Sequence, residues 1–134
     1  GPAVDGEIIL WDTFGELTAA YRFARAVFVG GSLAPLGGQN FLEPLTCGVV
    51  PVSGPSWFNF HWVGGEIIDS GLVRMAGGWE ESADALVENL QKPPRREEIR
   101  KAAMSYIDRR RGGTRKAVRS IEDCLRKNRY GAFN

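Results

Sequence analysis

The chain has 134 residues, enough for one domain around one core, and 43% of them are apolar, an ordinary share for a globular protein. No apolar run approaches the roughly 20 residues that cross a bilayer and no leader peptide is visible, so the expected setting is cytosolic. The net charge of +1 hides an asymmetry: residues 1–91 carry three basic and eleven acidic side chains, residues 92–134 fourteen basic and five acidic.

Residues 1–3 read as a cloning or protease scar and are left out of the fold reading. "EIILW" (residues 7–11) has the composition of a short buried strand. "DTFGELTAAYRFAR" (12–25) predicts a helix, with Asp12 or Thr13 as cap and Leu17, Ala20, Tyr21 and Ala24 on one face. "AVFVG" (26–30) is a second buried strand. A glycine-rich loop follows it, and a short helix over 41–47 is closed by Gly48. "VVPVSG" (49–54) is a third strand. Residues 59–71 predict a helix weakened at Gly64–Gly65, started by Asn59 and stopped by Gly71; "LVRMA" (72–76) is a fourth strand. Residues 82–91 predict a helix capped by Ser82, with Ala85, Leu86 and Leu90 inward, ended by Pro93–Pro94. Basic helices over 95–111 and 114–128 complete the chain. They are either solvated faces or a surface for an anionic partner: phosphate groups, nucleic acid or an anionic membrane. Cys47 and Cys124 lie far apart with no ligand residues at metal spacing, and read as reduced thiols.

Strands separated by helices predict an α/β fold, a Rossmann-like parallel sheet flanked by helices. Because the first strand starts so early, the chain reads as part of something longer. In such a sheet, ligands gather at the carboxyl ends of the strands, where "GGSLAPLGGQNFLEP" (30–44) lies, with four glycines, two prolines and a single acid, Glu43. The loop has neither the Gly-Lys-Ser/Thr of a Walker A loop nor the spacing of a dinucleotide fingerprint. The N–H groups of Gly30, Gly31 and Ser32, and those after Asn40, are placed to face an anion. Glu43 has two readings: a first-turn residue favoured by the helix dipole, or an acceptor for paired sugar hydroxyls. "GPSWFNF" (54–60) and "WDTFGEL" (11–17) belong to the same rim. Asn59 is there a cap or a ligand contact, Trp57, Phe58 and Phe60 are core or a wall for a ligand, and the single histidine, His61, is structural.

The motifs "DTFGEL", "FVGGSLAPLGGQNFLEP" and "GPSWFNF", in this order at three strand ends, resemble the C-terminal half of the 3-deoxy-D-manno-octulosonic acid (Kdo) transferases. The likeness runs on to "RRRGGTRKAVRSI". These are glycosyltransferases of the GT-B architecture in lipopolysaccharide assembly. The resemblance implies one half of a GT-B fold, a single C-terminal nucleotide-sugar-binding domain over residues 1–134, with the N-terminal acceptor domain absent. It implies transfer of Kdo from CMP-Kdo to a lipid A precursor, with inversion and with no metal or other cofactor. It implies partners at an anionic membrane rather than on a nucleic acid, with the full enzyme at the cytoplasmic face of the bacterial inner membrane and this fragment soluble by itself. By motif match, Gly30, Gly31 and Ser32 approach the donor phosphate and Glu43 takes the ribose hydroxyls. Gly37, Gly38, Gln39, Asn40, Asn59, Asp12, Thr13 and Glu16 complete the donor pocket. The general base belongs to the N-terminal half, so the fragment holds no catalytic residue. Two positions depart from the pattern: Gln39 and Ser56 stand where the family has histidines. The alternatives are a GT-B enzyme for another nucleotide sugar, or a non-catalytic Rossmann-like interaction domain.

Overall fold

The structure, a computed structural model, describes residues 5–130; the expected scar at residues 1–3 lies outside them. Along the chain run α1 (Leu17–Tyr21), β1 (Val27–Phe28), α2 (Leu42–Thr46), β2 (Pro51–Ser53), a 3-10 helix (Phe58–Val63), α3 (Glu66–Asp69), β3 (Arg74–Met75), α4 (Trp79–Gln91), α5 (Arg96–Arg110) and α6 (Gly113–Tyr130). The three strands pair in parallel in the order β1-β2-β3, with Val27 opposite Pro51 and Val52 opposite Arg74. The α/β parallel sheet expected from the alternation is therefore present. All three residues of β2 are buried, although successive side chains point to opposite faces, so the central strand is covered on both sides. Each strand is only two or three residues long, and much of the core comes from the segments that flank them.

The core gathers Val27, Val29, Phe41, Leu45, Val52, Val63, Ile67, Val73, Ala76 and Ala85. Val52, Ala76 and Ala85 form a cluster against which Leu86 packs, which ties α4 to the sheet. The Arg96 guanidinium, at the start of α5, donates to the carbonyls of Arg22, Ala24 and Cys47, groups left open where α1 and α2 end. The chain forms two compact units, one ending at Ala103 and the other beginning at Met104. In the second unit the Arg110 guanidinium lies 3.8 Å from the centre of the Tyr106 ring, a cation–π contact.

Five expectations change. Residues 7–11 form no strand: the sheet ends at β1 and β3, and Ile8, Ile9, Leu10 and Trp11 are exposed. An apolar run becomes a strand only with a neighbouring backbone to bond and a layer to cover it, and 7–11 has neither in the described sheet. The helix predicted from Asp12 is one turn, and neither Asp12 nor Thr13 caps it; Glu16 precedes it with no side-chain cap bond. Gly15 and Gly64 take left-handed φ of 85° and 94°, which a continuous right-handed helix does not accommodate. The first delays α1; the second splits the helix predicted over 59–71 at its expected weak point. Ser82 lies inside α4, donating to the Gly78 carbonyl, while the Glu81 carboxylate accepts the Gly77 N–H at 2.6 Å and serves the helix start in its place. Finally, Leu90 is 44% exposed and its neighbour Asn89 is buried, donating to the Val50 carbonyl just before β2. Ala85 and Leu86 face inward as expected, and at the next turn Asn89 takes the inward place in Leu90's stead.

The contrast between Leu45, fully buried, and Leu90 has a measurable consequence. Leu45→Ala is expected to lower the unfolding free energy by about 2–5 kcal/mol, and Leu90→Ala by well under half of that, in urea titrations of the whole chain. Equal losses would place Leu90 in the core.

Candidate functional site: the glycine loop and Glu43

The glycine loop leaves β1 through Val29, whose N–H donates to the Val52 carbonyl at 2.9 Å. It turns back on itself: the Gly38 N–H donates to the Gly31 carbonyl at 3.1 Å and the Gln39 N–H to the Gly30 carbonyl at 3.0 Å. Ser32 is fully buried at its base. Its hydroxyl donates to the Val29 carbonyl at 2.5 Å and accepts the Gly54 N–H at 2.8 Å, and its carbonyl accepts the Ser56 N–H at 2.9 Å. Ser32 thus joins the ends of β1 and β2, and its hydroxyl has no capacity left as a donor to a ligand.

The four glycines divide into two pairs. A Cβ at Gly30 meets nothing within 4 Å, and at Gly31 its closest neighbour is the Leu36 Cβ at 3.6 Å, so this arm has open space around it. Gly37 and Gly38 are packing glycines. A Cβ at Gly37 would fall 2.5 Å from the Asn59 amide, and one at Gly38 would fall 3.0 Å from the Ser56 carbonyl. Asn59 is not a helix cap: it sits in the 3-10 helix, and its side-chain nitrogen donates to the carbonyls of Leu36 and Gly38.

Asn40 performs two tasks at the end of the loop. Its Oδ1 accepts the Leu42 N–H at 3.0 Å, which serves the start of α2, and its Nδ2 donates to Glu43 Oε1 at 2.8 Å. The Leu42 N–H is therefore occupied, and α2 spans five residues, so the helix end adds little for an anion. Glu43 is held in one orientation, half-buried, and lines a surface hollow with Thr13, Phe14, Gly15, Leu17 and Thr18. The motifs that contain Thr13 and Glu43 thus meet in space; Asp12 and Glu16 are exposed nearby in sequence and do not line the hollow. Gln39 is exposed beside the open arm.

Behind the loop, Phe41 is buried against Phe60, with ring centres 5.1 Å apart, and against Trp57 at 6.3 Å. Phe60 and Trp57 are core flank, as the sequence indicates, whereas Phe58 is exposed. His61 places its ring edge-on to Trp57 at 4.4 Å, a packing role. The sequence reading missed Thr18 and Tyr21. They are three residues apart, on the face of α1 that meets α2, and that spacing was the available signal. Burial, then the negative charges of Glu43 and Cys47, push the Tyr21 phenol above its ordinary value of 10.0, so the phenol stays neutral beside the carboxylate.

No family model matches the chain. The 3-deoxy-D-manno-octulosonic acid transferase of Bordetella pertussis is 34% identical to it over 93% of its length, and that of Haemophilus influenzae is 28% identical over 95%. The chain is related to the Kdo transferases. It spans 29% and 30% of the lengths of these two relatives. Among solved structures it is similar to the "C-terminal CMP-Kdo binding domain of WaaA from Acinetobacter baumannii", at 36% identity and a TM-score of 0.63, over 72% of this chain and 51% of that one.

A titration checks the Tyr21 environment. A folded-state value above the unfolded one favours the neutral phenol, so this contribution to stability is complete below about pH 10 and is lost as pH rises through the folded-state value. Tyr21→Phe is expected to reduce the alkaline loss of stability and to remove a phenolate absorbance step that lies above pH 10. Glu43→Gln should shift that step towards 10 without abolishing the displacement, because burial is the larger cause. An unchanged step in Glu43→Gln would separate the two groups.

Proposed function

We propose that this chain is the donor-binding part of a Kdo transferase, the half of a GT-B glycosyltransferase that holds CMP-Kdo while Kdo passes to a lipid A precursor. The observation that carries the reading is Glu43. Its carboxylate is fixed by Asn40 and sits on a hollow walled by the loop of the first motif. A carboxylate accepts from two neighbouring hydroxyls at once, which suits the ribose of a nucleotide. The open arm at Gly30 and Gly31 offers backbone N–H groups to the phosphate, and Gln39, exposed beside it, supplies a neutral hydrogen-bonding group in place of a charge. The relatives' names and the CMP-Kdo binding domain of the similar structure support the same donor.

In this reading the acceptor and the general base belong to the remaining part of the enzyme, and residues 1–134 bind donor without transferring it. Isothermal titration tests the donor. CMP is expected to bind the chain, with UMP and GDP at least about tenfold weaker. Glu43→Ala should weaken CMP at least about tenfold, the equivalent of losing one hydrogen bond to a charged group, with its melting temperature unchanged. A preference for UMP or GDP would favour a transferase for another nucleotide sugar. No nucleotide binding at all would favour an interaction domain, and equal CMP binding by Glu43→Ala would remove Glu43 from the site.

The acceptor lies at an anionic surface in this reading, and α6 has the chemistry to face one. Val118, Ile121 and Leu125 form an exposed apolar stripe, with Arg115, Lys116, Arg119 and Arg126 on the rest of the helix. No helix of the described residues is long and apolar enough to cross a membrane. Each basic residue near an anionic bilayer contributes about 1 kcal/mol, an attraction that salt weakens. The full-length enzyme is expected to co-sediment with vesicles containing anionic lipid at low salt and to be released by high salt or by charge reversal in α6. Binding indifferent to both would assign the attachment elsewhere.

A further inference from the structure

The glycine loop is held from behind by a segment that the donor reading treats as part of the ligand pocket. Between Gly54 and Asn59, the chain leaving β2 makes a series of hydrogen bonds to the loop. The Gly54 N–H donates to the Ser32 hydroxyl, and the Ser56 N–H donates to the Ser32 carbonyl. Ser56 Oγ accepts the Gly37 N–H at 2.9 Å, and the Asn59 N–H donates to the Gly37 carbonyl at 3.2 Å. The Asn59 side-chain nitrogen donates to the carbonyls of Leu36 at 3.2 Å and Gly38 at 3.3 Å. Residues 36–38 therefore have their backbone groups matched, one after another, by two side chains and a main-chain amide from across the sheet end. Gly37 fits only because it lacks a side chain: any Cβ there would overlap the Asn59 amide. The side facing Ser56 and Asn59 is closed, and the open side is that of Gly30 and Gly31.

We propose that Ser56 and Asn59 are positioning residues, which act on the donor through the shape of the glycine loop and do not contact it. The clamp fixes residues 36–38, and the hydrogen bonds from Gly38 and Gln39 to the carbonyls of Gly31 and Gly30 pass that constraint to the open arm. The loop is thus formed before a ligand arrives, and the entropy of ordering it is not charged to binding. Which side chains suffice also follows. The partners of Asn59 are carbonyls, so an amide nitrogen works and a carboxylate does not. The partner of Ser56 is an N–H, so any hydroxyl in reach works and a methyl group does not.

The inference rests on the loop's being the donor nucleotide site, and the test reads loop and ligand separately. Amide hydrogen exchange of Gly37, Gly38 and Gln39 is measured in the ligand-free chain, and CMP affinity by titration, for Asn59→Asp, Ser56→Ala and Ser56→Thr. Asn59→Asp and Ser56→Ala are expected to speed exchange of these amides at least about tenfold and to weaken CMP about tenfold, with the melting temperature of Ser56→Ala close to that of the parent. Ser56→Thr, which keeps the hydroxyl, should restore both properties; a purely structural defect would show no such link between hydroxyl and affinity. Weaker CMP binding with parental exchange in the free chain would make Asn59 a direct ligand contact and overturn the proposal, as would parental behaviour in both measurements. Should Asn59→Asp fail to fold, the two Ser56 variants decide alone. If the parent chain binds no CMP, the donor reading fails, and exchange still tells whether the clamp exists: unaltered exchange in Ser56→Ala sinks it.

Discussion

Ser32 is the knot on which the rest of the site depends. A parallel sheet gives its strands no hairpin to fix their ends, so the loops that emerge at the carboxyl edge need ties of their own. Here one buried hydroxyl supplies the tie, donating to the end of β1 and accepting from the residue just past β2. Both capacities are used and no water is needed, so the group is satisfied in an apolar setting where an unpaired hydroxyl would cost about 1–3 kcal/mol. Serine is small enough for the place, and Gly54 leaves room for the Ser32 backbone to come close.

From that knot the site is built outward in two directions. One runs across the sheet end to Ser56 and Asn59, which set the backbone of residues 36–38. The other runs along the chain to Asn40 and Glu43, where one amide serves both the helix start and the carboxylate. The glycines thus have different physical roles. Two are there to be packed against, and two leave an approach to the backbone. The hollow at Glu43 is completed by Thr13, Phe14 and Gly15 of the loop before α1 and by Leu17 and Thr18 of α1 itself. α1 and α2 pack together, and the Tyr21 phenol feels the Glu43 carboxylate without a charge conflict, since the phenol remains protonated.

The relation to Kdo transferases and the geometry support each other at different levels. Similarity to a solved CMP-Kdo binding domain extends over 72% of this chain. The hydrogen bond from Asn40 accounts for the orientation of the Glu43 carboxylate at that point. The basic residues of α5 and α6 are divided between the two compact units: Arg96, Arg100 and Lys101 of α5 belong to the first, and those from Arg109 onward to the second.

Several features were legible from the residues alone. The alternation of apolar runs and amphipathic segments determined a parallel α/β sheet, because only two periodicities, of about 2 and 3.6 residues, put apolar side chains on one side of regular backbone. The order strand, glycines, Asn-x-x-Glu-Pro determined that Glu43 stands at the strand end, and left-handed glycine explained the weak point at Gly64. Other features were decided only by tertiary structure. "EIILW" has the composition of a strand, but among the described residues no strand pairs with it, and composition carries no information about neighbouring strands. Asn89 rather than Leu90 is the buried residue, with its amide donating to the Val50 carbonyl before β2, a contact across 39 positions of sequence. The identity of Gly37 as a packing glycine, and of Ser56 and Asn59 as its clamp, depends on contacts between residues about twenty positions apart in sequence, which neither periodicity nor local propensity can express.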